Sequence, residues 1–380
     1  MKVVHIDLTG PFTVGMNYQE NMLSEINAID GNEVYFIATQ YKWEADKIVQ
    51  AKESEEKTLA GVQIIRMPFV KLGLPLVTER IRLVRGLDCL LDKLSPDIIM
   101  LHGFQTMSVT FITKYVRRNV GCRLIVDTHS DEINSAPNFV SRYILHRILY
   151  GSMAKSALKY VSKIWCISYD VMDFSHVVYG IPFDKLEFFP LGGIIFEEKE
   201  YLERRSNIRG QHFIAENDIL LVHSGKMSCS KKTVDLFKML KKIKSDRIKM
   251  ILVGEMDTET EAVYVNEAKE DKRIIYAGWK TGEELLSYLC AADIYAQPGT
   301  QSATMQNAAC CRCSLMLYPY KSHIKLFDDN AFYVESVKDM IKVMDKILSD
   351  SSIITQYRAR SFAIAKEMLD YKKQAEWLYE

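Results

Sequence analysis

The chain has 380 residues, enough for two domains that each bury a core. Lys plus Arg and Asp plus Glu both number 49, so no net field selects nucleic acid as a partner, and none is expected. The hydrophobic fraction of 48% fits a globular chain, and no apolar run reaches membrane-spanning length.

Lys2–Leu8 reads as a buried strand, followed by a loop, Thr9–Met16, and then helical spacing at Tyr18, Met22 and Ile26. Strands are expected at Glu33–Ala38, Val62–Arg66, Ile98–Leu101, Arg123–Asp127, Lys163–Ile167 and Leu186–Phe189. Between them, helices are expected at Glu79–Lys93, Gln105–Arg118 and Arg142–Tyr160. Such alternation implies a parallel sheet covered on both faces, with ligands beyond the carboxyl ends of its strands. His102-Gly103, Asp127–Asp131 and Ser168 fall at those ends. His129 either meets a substrate or caps a strand end through a backbone hydrogen bond. Two stretches, Val70–Leu87 and Arg142–Lys163, mix apolar and basic residues. Each reads first as a core-facing helix with a solvated charged face; docking on an anionic membrane surface is the alternative.

The charged tract Glu197–Arg209 lies between glycines and the next apolar strand, so 193–216 reads as a linker. A second alternating series then runs through strands Ile219–Ser224, Lys249–Val253, Ile274–Ala277, Ile294–Gln297, Ser314–Tyr318 and Ala331–Val334. Helices are expected at Thr233–Lys242, Thr281–Cys290, Val337–Ser349, Ile353–Met368 and Lys372–Tyr379. His223-Ser224-Gly225-Lys226 with Lys231-Lys232 places cations near a helix start, which suits a diphosphate. A helix is expected to start near Ser302 and run through Met305, Ala308 and Ala309; the stretch before it, Pro298-Gly299-Thr300-Gln301-Ser302, is either an anion-binding or sugar-binding turn, or an ordinary turn in which Thr300 or Ser302 caps that helix. Eight cysteines, among them Cys310-Cys311-Arg312-Cys313, are scattered without a His cluster, so reduced thiols and a cytoplasmic setting are expected.

Taken together, these motifs resemble retaining glycosyltransferases of the GT-B fold, family-four-like, over nearly the whole chain. Gly15-Met16-Asn17-Tyr18-Gln19-Glu20-Asn21 resembles a donor-facing glycine loop, and Asp127-Thr128-His129 a strand-end histidine near the transferred sugar. Ser224-Gly225-Lys226 with Lys231-Lys232 matches the diphosphate clamp, and Val253-Gly254, Ala277-Gly278-Trp279 and Ala292-Asp293 match nucleotide-side landmarks.

The resemblance implies an α/β fold of two Rossmann-like, doubly wound parallel-sheet domains facing an interdomain cleft. The implied boundaries are 1–192, a linker 193–216, a nucleotide-sugar domain 217–365, and a closing helix 366–380 that crosses back. The implied catalytic residues are His129, Lys226 and Lys231. The implied donor contacts are Gly15, Met16, Gly225, Lys226, Lys231, Lys232, Gly254, Gly278, Trp279, Gly299, Thr300, Gln301, Ser302 and Gln306. The implied substrates are a UDP- or GDP-sugar and a glycan or lipid-linked acceptor, with no cofactor, no metal, and peripheral contact with the inner membrane face.

Two departures stand out. The family's E-x7-E pair falls on Pro298 and Gln306, and its clamp arginine on Lys226. An amide still hydrogen-bonds ribose hydroxyls, and a lysine keeps the charge while losing the bidentate fork. A degenerate subunit acting through a protein partner, or a nucleotide-sugar epimerase or hydrolase, are the alternatives.

Overall fold

The computed structural model describes residues 1–44, 47–52, 54–132 and 135–380. They form two units, Met1–Pro190 with Gln374–Glu380, and Leu191–Lys373.

In the first unit the strands are β1 (Lys2–Asp7), β2 (Glu33–Thr39), β3 (Tyr41–Glu44), β4 (Lys47–Gln50), β5 (Glu55–Lys57), β6 (Gln63–Met67), β7 (Ile98–His102), β8 (Arg123–Thr128), β9 (Lys163–Cys166) and β10 (Leu186–Phe188). The main sheet runs β10-β9-β8-β7-β1-β2-β6-β5, all parallel except the edge strand β5, which pairs antiparallel to β6. β1, β7 and β8 are near-continuous runs of Val, Ile and Leu because helices cover both faces of a parallel sheet. Val4, Ile6, Leu101, Leu124 and Val126 are fully buried, each contributing about 1.5–3 kcal/mol. β3 and β4 form a separate antiparallel hairpin that the sequence reading missed.

The expected helix Glu79–Lys93 is two helices, Pro75–Ile81 and Leu87–Leu94. Between them Arg82 sits in the left-handed region (φ 50°), and Gly86 at φ 81° starts the second helix. The break is fastened by Thr106 Oγ1 and Ser108 Oγ, which both donate to the Arg82 carbonyl. Pro75–Ile81 buries none of its residues, contrary to the core-facing expectation. The stretch expected as a helix over Arg142–Tyr160 runs from Val140 to Ala157 as a π-type segment followed by an α-helix. It buries His146 and Tyr150 but leaves Val140, Ile144 and Ile148 exposed. Ser168 caps the helix Tyr169–Phe174, accepting from the Val171 N–H, so its role is local.

In the second unit the strands are β11 (Ile219–Ser224), β12 (Ile248–Val253), β13 (Ile274–Gly278), β14 (Ile294–Gln297), β15 (Ser314–Leu317) and β16 (Phe332–Tyr333). They form a parallel sheet in the order β13-β12-β11-β14-β15-β16. This is the doubly wound dinucleotide-fold order, with its topological switch between β11 and β14. The first unit repeats the pattern, with its switch between β1 and β7.

The stretch 193–216, expected as a linker, contains the fourteen-residue helix Glu198–Gln211 and belongs to the second unit. Arg205, Arg209 and Arg358 all reach the Asp293 carboxylate, and Arg205 and Arg209 also donate to the Ala291 carbonyl. Residues 366–373 also stay with this unit, where Gly193 N donates to the Leu369 carbonyl at 2.7 Å; only Gln374–Glu380 returns to the first unit.

Candidate active site

At the switch point of the first unit, the carboxyl ends of β1, β7 and β8 open onto a cavity of about 350 Å³. Asp7, Thr9 and Glu20 form one side, with His102, Gly103, Gln105, His129 and Ser130 at the strand ends. Arg80, Arg82, His146 and Tyr150 complete the wall. Gly103 has to be glycine: its φ is +91°, and a Cβ would lie 2.9 Å from Thr9 Cγ2 and closer still to the Gln105 amide.

The chemistry centres on Asp127, the last buried carboxylate of β8. His102 Nδ1 donates to Asp127 Oδ2 at 2.7 Å, and His129 Nε2 lies 3.5 Å from the same oxygen. Burial opposes charge on His102, but Asp127 outweighs it and raises the imidazole to about 9. Burial likewise opposes ionisation of Asp127, yet the two histidines hold it well below the ordinary carboxylate range. His102 Nε2 meets His5 Nδ1 at 3.2 Å, and His5 Nε2 meets Asn27 Oδ1 at 2.9 Å. Burial, reinforced by His102, pushes His5 down to about 3. The assignment that satisfies the line is His102 as imidazolium donating from both nitrogens, with His5 neutral and donating to Asn27. Asn27 Nδ2 then donates to Tyr379 Oη at 2.6 Å.

His129 keeps 41% of its side chain exposed, so it is the member of this line that a ligand can reach. Loss of solvent opposes its charge, but Asp127 raises it above the ordinary imidazole value. Across the cavity, burial followed by the Asp7 carboxylate raises Glu20. Burial pushes His146 down to about 4, with Arg82 and Arg80 adding to the effect. Of these groups, His102 and His129 were visible as polar residues at strand ends. Glu20 lay in the stretch that resembles the donor-facing loop, and Arg80 and Arg82 in the apolar and basic stretch Val70–Leu87, but none was read as a site residue; Asp7 and His146 carried no motif. Gly15 and Met16 do not line the cavity; Gly15, at φ +81°, is an exposed turn residue.

In the second unit, the switch-point strands end in Ser224-Gly225-Lys226 and Gln297-Pro298-Gly299. His223 binds β11 to β14 through the Ala296 carbonyl at 2.7 Å, and burial pushes it down to about 4, so it is a neutral structural group. Gly225 (φ +107°), Gly254 (φ +132°) and Gly278 (φ +69°) each turn the chain at a strand end. Gly299 packs so closely on the Ser230–Lys231 backbone that a Cβ would lie 2.2 Å from the Ser230 carbonyl oxygen.

The three lysines of the implied diphosphate clamp differ in their partners. Lys226 is exposed and makes no side-chain hydrogen bond or ion pair among the described residues. Lys231 donates to the Thr300 and Gln301 carbonyls at 3.1 and 3.0 Å. Lys232 donates to the Glu335 carbonyl at 2.7 Å and lies over the Tyr318 ring. The 298–302 turn is also partly committed, because the Thr300 N–H donates to the Ser230 carbonyl at 3.0 Å. The helix beyond it starts at Thr304 rather than Ser302 and has seven residues, too short to supply an anion site by itself. Ser302 Oγ accepts weakly from the Thr304 N–H at 3.4 Å. Gln306 is buried, yet its Oε1 has no partner among the described residues. Trp279 stands exposed beyond β13.

No protein-family model matches the sequence, and no curated protein matches it. Solved structures do match, over nearly the full length of both chains. Anabaena HepE in complex with UDP is 16% identical, with a TM-score of 0.68, 100% of this chain and 98% of that one covered. A glycosyltransferase from Rickettsia africae is 10% identical, at 0.68, covering 99% and 96%. WaaG, a glycosyltransferase involved in lipopolysaccharide biosynthesis, is 15% identical, at 0.62, covering 99% and 98%. The fold of this chain is GT-B.

Proposed function

We propose that the chain is a glycosyltransferase that moves a sugar from a nucleotide-diphosphate donor to a glycan or lipid-linked acceptor, with retention at the anomeric carbon. The observation that carries this reading is the end-to-end GT-B likeness, which includes HepE solved with UDP and with UDP-glucose. Three details support it. The partnerless Gln306 Oε1 suits a ribose hydroxyl donor, and Lys226 is a cation with no internal commitment at the second unit's switch point. Exposed Trp279 offers a ring face to a base.

In this reading the bond from the anomeric carbon to the phosphate oxygen breaks, and the acceptor hydroxyl bonds the same face. Its proton passes to the departing phosphate oxygen, so no protein base is consumed. Lys226 stabilises the developing phosphate charge, and Lys231 holds the Thr300–Gln301 loop with two of its three N–H donors. His129, biased toward imidazolium by Asp127, donates to a hydroxyl of the sugar. The chemistry uses no metal. The enzyme works at the cytoplasmic face of a membrane, in assembly of surface polysaccharide; among the described residues no helix is long and apolar enough to cross a membrane.

Calorimetric titration with UDP, GDP and ADP tests the reading. One of them is expected to bind, with Lys226→Ala weakening it about tenfold, the loss of one charge-assisted contact, and His129→Ala far less. Equal affinity in Lys226→Ala and the parent removes the clamp assignment. Pro298 and the committed Lys232 favour one competing reading, a subunit that has lost donor chemistry. Binding of no nucleotide would select it.

A further inference from the structure

Arg80 and Arg82 are two cations lining the first unit's cavity, where the Asp7 carboxylate acts on Arg82 from beyond ion-pair distance. Among the described residues neither makes an ion pair. Of the five N–H donors on the Arg82 guanidinium, one is used, donating from Nη1 to the Gln105 carbonyl at 3.1 Å. The Arg80 side chain makes no hydrogen bond among the described residues, although its carbonyl accepts from Tyr150 Oη at 3.0 Å. Arg82 is brought into the wall by the break in the helix, and Thr106 and Ser108 clamp its backbone there. A partly buried, unpaired guanidinium is costly, which argues for an anionic occupant. The same cavity also holds Asp7, Glu20 and His129, which suit the hydroxyls of such an occupant.

We infer that Arg80 and Arg82 form an acceptor subsite for a phosphate group, so the acceptor is a phosphorylated hydroxyl compound. The inference rests on the transferase reading for the word acceptor, and on the cavity alone for the phosphate. Two guanidiniums present a double positive charge, which a phosphate matches better than one carboxylate and which their planar forks grip bidentately. The phosphate comes either from a soluble compound or from a lipid headgroup. The surroundings are compatible with lipid: on or next to the segments that supply Arg80 and His146, Leu74, Leu76, Phe139, Val140, Ile144 and Ile148 are exposed. Residues 135–160 hold four basic residues and no acidic one.

The test is calorimetric binding of inorganic phosphate at constant ionic strength, together with co-sedimentation on phosphatidylcholine vesicles with and without phosphatidic acid. The parent chain is expected to bind at least one of these probes, and Arg80→Ala to weaken that binding about tenfold, with Arg80→Lys recovering part of it. Arg82→Ala is expected to weaken it further; if that variant does not fold, the exposed Arg80 decides. Arginine-dependent phosphate binding without vesicle binding assigns a soluble source and arginine-dependent vesicle binding a headgroup, and either supports the subsite. Phosphate binding lost in Lys226→Ala but kept in Arg80→Ala lies in the second unit and overturns the subsite, as does binding of neither probe. UDP, GDP and ADP affinities are measured in parallel: binding of none, together with arginine-dependent phosphate binding, sinks the transferase and leaves the subsite standing.

Discussion

His102 is the residue whose charge state organises the first unit's site. It is buried, yet held near 9 by Asp127. A raised folded value means its contribution to stability is complete below pH 6.5 and is lost as pH rises through about 9. For Asp127 the sign is reversed: its contribution is present above 3.8 and is lost as pH falls below that. Asp7 and Glu20 add to the rise of His102, and His129 helps to hold Asp127 down. Asp127→Asn is expected to drop His102 below 6.5, because burial then acts without its opposing charge; an NMR titration of the imidazole measures this. An unchanged value near 9 would mean that another anion holds the proton. His102 and His129 were legible as strand-end polar residues. Arg80 and Arg82 were not, because a continuous helix over Glu79–Lys93 would have left them on a solvated face. The break at Arg82, fastened from Thr106 and Ser108, was invisible in local periodicity.

At the scale of elements, the helix Glu198–Gln211 shows why a charged tract need not be a linker. It has no apolar stripe, and docks instead by guanidiniums on Asp293 and the Cys290–Ala292 carbonyls, with Tyr201 and Ile208 buried. Periodicity reports apolar burial and is blind to docking of this kind. Asp293→Ala is expected to cost about 3–5 kcal/mol in urea unfolding, since it strands Arg205, Arg209 and Arg358. A loss under about 1 kcal/mol would assign the docking to the carbonyls. The short helix Thr304–Cys310 makes the complementary point. Its strand-turn-helix order was read correctly, but the turn's N–H at Thr300 turned out to be spent on Ser230.

For the whole molecule, the first unit is closed by residues from the far end of the chain. Tyr379 Oη accepts from Asn27 and Asn32 and donates to Asp30 at 3.0 Å, Gln374 Nε2 donates to the Pro190 carbonyl at 2.8 Å, and Arg123 donates to the Tyr379 carbonyl at 2.8 Å. Tyr379→Phe is expected to destabilise this unit by about 1–3 kcal/mol, leaving buried amide donors unmatched. Chemical denaturation followed at Trp165 measures it, and an unaltered midpoint would show the closing contacts to be dispensable. By itself, the sequence determined the strand series, the parallel winding and the strand-end position of His129, because these follow from local alternation of apolar runs and turns. Only the tertiary structure decided which polar side chains share a cavity, which lysines are already committed, and that a tyrosine at the end of the chain completes the line from His129. Those are facts about residues hundreds of positions apart, whose meeting is set by sheet order and packing rather than by any spacing along the chain.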